Sequence, residues 1–531
     1  MPDKPTVNRR TVLSMTALGL AGSGTVIAKQ ASTNNSVLTD HGEDSRVDWG
    51  SDAWPQANYD NGQTNYTTDG ATPTGALSAA WTFGEDVDSS MRQYNFGYRY
   101  PIVADGIVYT LSERRQDREE GDGTYVTQVL HALDEADGTE LWNADLKVAV
   151  RGTVEGDQYV GKFGFDGIAV ADNVVYLSRW GRTTTFDAET GERGWTVEHG
   201  GGQLAVTDES LVVTHQIGDN NLTTPAQGYR VLTMSREDGS IRWKRDYTGG
   251  GSFADGSVNL YLAVANGSVY AAYESFNDTQ YVHSLSLNDG TEEWKSGRKQ
   301  LGSLIATENV LYIERSEEIA ALDTESGKTR WKTDSSLRPA GQEFVFGAAG
   351  DGSAYVTVGT TDDNQGRLLA LDADTGGVEW EVETKWYGGE SWLDAGEVVV
   401  VNGVVHYFVR KSRPTDEETA VEYVLATRET DTGKLLDRRS VPSVPSADGT
   451  VVSDYPVVAG NTLYANYAGS EGHGKTLVAL RSSDDDRNDD ESGSDDDGND
   501  GGSDGSDDDG NDGGSDRSDD DGNDGGSDDR C

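Results

Sequence analysis

In this chain of 531 residues a turn of the form Asp, Thr or Ser then Gly is followed six times, four residues after the glycine, by a tryptophan. Gly138 leads to Trp142, Gly191 to Trp195, Gly239 to Trp243, Gly290 to Trp294, Gly327 to Trp331 and Gly376 to Trp380. A seventh copy, Thr432-Gly433, has Leu436 near the place of the tryptophan. Self-similarity at roughly 40–50 residues is the mark of a propeller or a solenoid, so most of the chain is one repeat domain. Its function has to be sought in what decorates the repeat.

Each turn and its tryptophan close a hairpin whose first strand carries an apolar-x-Asp core. Examples are Ala132-Leu133-Asp134, Thr185-Phe186-Asp187, Ala321-Leu322-Asp323 and Ala370-Leu371-Asp372. Turns rich in Asp, Asn and Gly between alternating strands read as antiparallel hairpins, because these residues accept positive φ. A large flat side chain at a fixed place on the second strand can fill the wedge between neighbouring sheets. Its burial is worth roughly 2–3 kcal/mol. A second hairpin precedes each of these, as in Val103-Ala104-Asp105-Gly106-Ile107-Val108-Tyr109 and Val170-Ala171-Asp172-Asn173-Val174-Val175-Tyr176. Eight copies of it occur, the seventh running from Val400 to His406 and the last from Val458 to Tyr464. Two hairpins per repeat make the four-stranded sheet of a β-propeller blade.

The termini specify closure. The eighth repeat stops after Leu477-Val478-Ala479-Leu480, before any glycine turn or tryptophan. Near the N-terminus, Leu77-Ser78-Ala79-Ala80-Trp81-Thr82 is a lone tryptophan strand. Joining the two completes an eighth blade and removes an exposed sheet edge. The expectation is an all-β, eight-bladed propeller of four-stranded antiparallel blades over residues 50–481. An open solenoid would leave the two half-repeats unexplained.

The repeat resembles that of the PQQ-like propeller superfamily, in Val-Ala-Asp-Gly-x-Val-Tyr followed by Ala-Leu-Asp-x-x-x-Gly-x-x-x-Trp. Trp54-Pro55-Gln56 with Asp60 and Thr64 is similar to the leading segment of that superfamily. Its members include quinoprotein alcohol dehydrogenases and the assembly lipoprotein BamB. The resemblance implies the fold, and a shared fold does not carry a function with it. Two departures matter. Dehydrogenases of this type usually have adjacent cysteines against the quinone, whereas the only cysteine here is Cys531. BamB begins with a lipid-bearing cysteine, and none lies near this N-terminus.

Asn8-Arg9-Arg10-Thr11-Val12-Leu13 and the uncharged run that follows read as a twin-arginine export signal over residues 1–31, with a flexible stretch over 32–49. The run is too short for a membrane span. Asp and Glu outnumber Lys and Arg by 93 to 43, a formal charge of −50. Self-repulsion on that scale opposes a compact state in dilute buffer. At about 1 M salt the screening length falls to about 3 Å and the penalty largely disappears. The expected setting is therefore outside the cell, or on the surface, of a salt-loving archaeon. Nucleic acid is excluded as a partner, since phosphate binding needs a basic surface. Residues 482–531 repeat Asp, Gly, Ser and Asn with a twelve-residue period and nothing apolar, which reads as a disordered solvated spacer. Calcium rolls run at nine residues with an apolar position in each repeat.

No catalytic constellation and no metal-ligand spacing emerge, so no cofactor or metal is expected. PQQ with calcium belongs to the alternative reading, a quinoprotein-like dehydrogenase of alcohols or sugars. A polysaccharide-binding or -degrading propeller is a further alternative. The leading expectation is a monomeric, non-enzymatic scaffold that binds an unidentified protein or glycan at the cell surface. Its ligand residues should lie on the loops leading into the innermost strands: Arg99, Tyr100, Lys162, Asp166, Gln203, Lys385, Trp386, Trp392, Asp454 and Tyr455. The segment 385–392 is the richest, with three aromatics beside Lys385 and Glu390. Trp81, Trp142, Trp195, Trp243, Trp294, Trp331 and Trp380 are assigned to blade packing.

Overall fold

The computed structural model describes residues 53–483, apart from 57–58, 62, 85–91, 95–100, 118–123, 152–166, 180, 218–227, 249–259, 274–279, 299–301, 316, 339–341, 360–365, 384–390, 415–418, 443–455 and 469–474. The export signal expected over 1–31, the segment 32–49 and the acidic segment beyond 483 lie outside the described residues. Eight antiparallel sheets follow one another along the chain. Blade 2 shows the plan, with strands Gly167–Ala171, Val174–Arg179, Arg182–Asp187 and Arg193–Val197 in that order from one edge to the other. Blades 1 and 3–7 begin at Ile102, Leu204, Leu260, Ser303, Glu343 and Ser391. Blade 8 takes Val457–Ala459, Thr462–Ala468 and Lys475–Ser482 from the C-terminal side and Leu77–Phe83 from the N-terminal side. Leu77 pairs with Ser482 and Phe83 with Leu477, so the ring closes as expected.

The core lies in the seams between blades. Each apolar cluster draws on two or three adjacent sheets, as where Tyr312, Ala321 and Trp331 of blade 5 meet Phe344, Val356 and Leu369 of blade 6. Strand alternation makes this possible, since successive side chains face opposite neighbours. The blade tryptophans act in these seams. Trp331 donates from Nε1 to the carbonyl of Ala373 in the next blade at 2.7 Å. A Cβ on Gly376 would come within 2.6 Å of the Trp331 ring, and Gly376 holds φ +70°. Glycine is thus required there twice over, by backbone conformation and by the ring lying on its Cα. The same indole-to-turn bond joins Trp81 to Glu135, Trp142 to Ala188, Trp195 to Arg236, Trp243 to Leu287, Trp294 to Thr324 and Trp380 to Thr430. In six blades the tyrosine of the preceding hairpin packs on its own blade's tryptophan, as Tyr355 does on Trp380 with ring centroids 6.0 Å apart.

Blade 7 departs from the pattern. Ala370 lies opposite Trp380 in blade 6, and the corresponding pair in blade 7 is Thr427 and Asp437. Asp437 rather than Leu436 therefore occupies the tryptophan register, and Leu436 is largely exposed. The cause is the neighbour: blade 8 is assembled from two chain ends and has no glycine turn to receive an indole. His406 takes the tyrosine position and is fully buried, with no hydrogen-bond partner on either ring nitrogen. Arg439 bonds Asp437 at 2.7 Å and the Pro73 carbonyl at 2.5 Å, filling the seam with polar groups.

Blades 1 and 7 are also the long ones. Ile107–Asp117, Thr124–Asp134 and Glu140–Arg151 run to 11 or 12 residues, as do three strands of blade 7, Ser391–Val401, Val404–Pro414 and Thr419–Glu429. Arg92–Tyr94 adds a strand against Glu113–Arg115 beyond the end of the inner strand of blade 1. The two blades flank blade 8 and extend it on either side.

Candidate functional site

One mouth of the axial channel is lined by the chain's own leading segment. Trp54 exchanges backbone bonds with Val103 of blade 1 at 2.8 and 2.9 Å, and the Pro55 carbonyl accepts from Val170 of blade 2 at 2.9 Å. The Asn61 amide accepts from Val206 N–H at 2.9 Å and donates to its carbonyl at 2.5 Å, in blade 3. The Asn61 carbonyl takes Val264 N–H of blade 4 at 2.7 Å, and Thr64 and Asn65 carbonyls take Ala349 and Val400 of blades 6 and 7. The segment therefore follows the ring in blade order, as an inner hoop on the innermost strands. Inside the hoop the Asp60 carboxylate accepts from Thr64 N–H at 2.9 Å and from its hydroxyl at 2.8 Å. Tyr59 packs at a tilt against Trp54, with ring centroids 5.2 Å apart, and donates to the Thr67 hydroxyl at 2.8 Å, which ties the ends together. The hoop lies on the face that carries the turns of both hairpins. Open binding surface is then sought at the opposite face, where the connectors enter each blade.

Of the ligand residues expected on that face, Arg99, Tyr100, Lys162, Asp166, Lys385, Trp386, Asp454 and Tyr455 lie outside the described residues. Trp392 pairs by backbone with Arg410 in the first two strands of blade 7. Gln203 is at the start of blade 3, and its Oε1 accepts from Leu262 N–H of blade 4 at 2.6 Å. That oxygen links two innermost strands and is committed to the ring. Glu314 makes a similar link, accepting from Phe346 N–H of blade 6 at 2.7 Å. All seven assigned tryptophans lie in seams, as described above.

The structure brings together side chains that the spacing of the sequence does not connect. His199, in the connector after blade 2, and His215, in blade 3, meet edge to face with ring centroids 5.9 Å apart. Burial lowers the pKa of both below the ordinary histidine value, and the Arg230 charge acts in the same direction on each. His131 lies between Ser112 and Glu140, with Nε2 2.6 Å from the Ser112 hydroxyl and Nδ1 2.6 Å from the Glu140 carboxylate. This is the order of a nucleophile relay. Ser112 is only 1% exposed, however, and Phe83 of the closing strand packs on His131 with ring centroids 5.0 Å apart. Blade 4 repeats the histidine–carboxylate pair without a relay serine, as His283 and Glu292 at 2.8 Å. The shared element is a buried histidine pinned to a carboxylate on the neighbouring strand at the surface. Among the described residues no three His, Cys, Asp or Glu side chains converge as a metal cluster would.

The fold and its decoration can now be set beside known proteins. The family described as outer membrane protein assembly factor BamB matches residues 78–333 and 315–507. The chain belongs to that family. Quinohemoprotein alcohol dehydrogenase of Comamonas testosteroni is 24% identical to this BamB-family chain over 205 residues, 36% of the chain and 25% of that enzyme. The matched part thus spans a quarter of the enzyme's length. The crystal structure of the same enzyme aligns with a TM-score of 0.50 at 15% identity, over 81% of this chain and 80% of that one. BamB from Moraxella catarrhalis aligns with a TM-score of 0.40 at 14% identity, over 77% and 99%. The expected superfamily and the eight-bladed fold are both borne out. At these identities the structural likeness is one of fold alone.

Proposed function

We propose that this BamB-family chain is an exported propeller that acts outside the cell, in high salt, as a binding or assembly scaffold without catalysis. The observation that carries this is the inner hoop. Residues of the chain itself line one channel mouth by bonding to six blades, and the long blades 1 and 7 raise strands beside blade 8. Such a body offers one broad, rigid face with recognition placed on connectors of unequal length, as binding loops on scaffolds usually are. Arg9-Arg10 with its apolar run supports export, and the acidic excess supports a saline setting.

A quinoprotein-like dehydrogenase is the second reading, favoured by the partial identity with the Comamonas enzyme. The two separate in one experiment. Purified protein is incubated with pyrroloquinoline quinone and calcium in molar salt, then assayed for bound-cofactor absorbance and for dye reduction by alcohols and sugars. The scaffold reading expects neither; stoichiometric cofactor with substrate-dependent dye reduction would overturn it.

A further inference from the structure

We infer that His199 and His215 form a binding site for a borderline divalent transition-metal ion, of the zinc, copper or nickel class, at the seam of blades 2 and 3. The site lies on the face opposite the hoop. The two rings come from different blades, and each is placed by its own framework. The His199 carbonyl accepts from the Thr183 hydroxyl at 2.7 Å, and Gly201 N–H donates to the Ser178 hydroxyl at 2.9 Å. A Cβ on Gly200 would meet Ser178 Oγ at 2.7 Å, so the connector is packed directly on blade 2.

The tautomers follow from the hydrogen bonds. Nδ1 of His215 lies 2.8 Å from the Gly200 carbonyl and 3.4 Å from the Gly200 N–H, and the much shorter contact assigns its proton to the carbonyl. That leaves Nε2 of a neutral His215 with a free lone pair. Metal-bound histidines are commonly oriented in this way, with the second ring nitrogen donating to a backbone carbonyl. Nδ1 of His199 is shielded from solvent and has no hydrogen-bond partner.

The charged groups nearest the rings are mostly paired with one another. Arg230 is capped by Asp246 through two bonds of 2.5 and 2.7 Å, and Arg182 is paired with Glu198 at 2.7 Å. Lys244 also acts on His199 and is opposed there by the Glu198 carboxylate. Two lone-pair acceptors on neutral rings repel an anion and attract a Lewis acid, and imidazole suits this class of metal. Two protein ligands leave positions open for water or for a ligand of the propeller's binding face.

The test titrates Cu(II) and Zn(II) into the full chain in molar KCl at pH 7.5, by calorimetry and, for copper, by electron paramagnetic resonance. One site per chain with nitrogen hyperfine structure is expected. His199→Ala and His215→Ala should each weaken it at least tenfold while leaving the circular dichroism spectrum without metal unchanged. His215→Ala matters most if His199 refolds its connector, because His215 sits within a strand. Affinity should fall on acidification below the ordinary histidine value of about 6.5, since protons compete for the rings. Equal affinity in the double variant, or tighter binding at low pH, would overturn the assignment, as would no stoichiometric binding.

Discussion

At the residue scale, His406 shows how one departure from the repeat alters the physics of a seam. Six blades place a tyrosine against a tryptophan at this position; blade 7 places a buried imidazole beside Thr427 and Asp437. Desolvation, aided by the Arg439 charge, pushes the His406 pKa down to about 3. In the unfolded chain it returns to about 6.5. Below pH 6.5 the unfolded chain therefore takes a proton that the folded chain refuses. The stability tied to neutral His406 is intact above pH 6.5 and is lost as pH falls, by about 1.4 kcal/mol per pH unit down to the folded value. His406→Phe removes this acid limb while keeping an aromatic ring in the seam. Tm of the variant should change little at pH 8 and should exceed that of the parent increasingly from pH 6 to pH 4. Parallel Tm–pH curves for the two proteins would show that His406 does not govern acid stability.

At the scale of elements, the hoop accounts for why a segment with almost no regular structure is buried. Its polar groups replace the partners that innermost strands would otherwise lack, and Asn61 does this most completely, pairing with both backbone groups of Val206. Asn61→Ala leaves a buried N–H and carbonyl unpaired, a loss of about 2–3 kcal/mol. Hydrogen exchange should show the Val206 amide losing protection ahead of the other inner strands; unchanged protection there would mean that water replaces the side chain at no cost. The sequence carried the blades clearly and the hoop hardly at all. Gly376 and Trp380 are legible because a repeat rewards the same residues at every copy. Asn61 and Gln203 act once each, through contacts with residues 145 and 59 positions away, and no local period marks them. In blade 7 the four-residue spacing from Gly433 still reaches the tryptophan register at Asp437, and the residue type changes because the next blade has no turn to receive a ring. The meeting of His199 with His215 is a seam contact between blades, which no local period marks.

At the scale of the whole molecule, charge and repeat are coupled. The repeat builds its hairpins with acidic turns, and their carboxylates are held ionised by local bonds. Asp187 and Asp372 are examples, their pKa lowered by hydrogen bonds from Thr190 and Thr375. These turns ring the hoop face, so the most regular part of the fold is also where like charges gather. The segment from residue 482 holds 22 acidic and 3 basic residues, which leaves more than half of the excess with the rest of the chain. Self-repulsion should therefore belong mainly to the ring. Raising salt from about 0.1 M to about 1 M shortens the screening length from about 10 Å to about 3 Å, below the spacing of neighbouring turns. Tm of the full chain should rise steeply over that range, and a chain ending at residue 483 should keep more than half of the rise. If truncation abolishes the salt dependence, the repulsion resides in the tail and the acidic turns are electrostatically silent. If both chains unfold at the same temperature in dilute buffer and in molar salt, the inference of a saline habitat from composition fails with it.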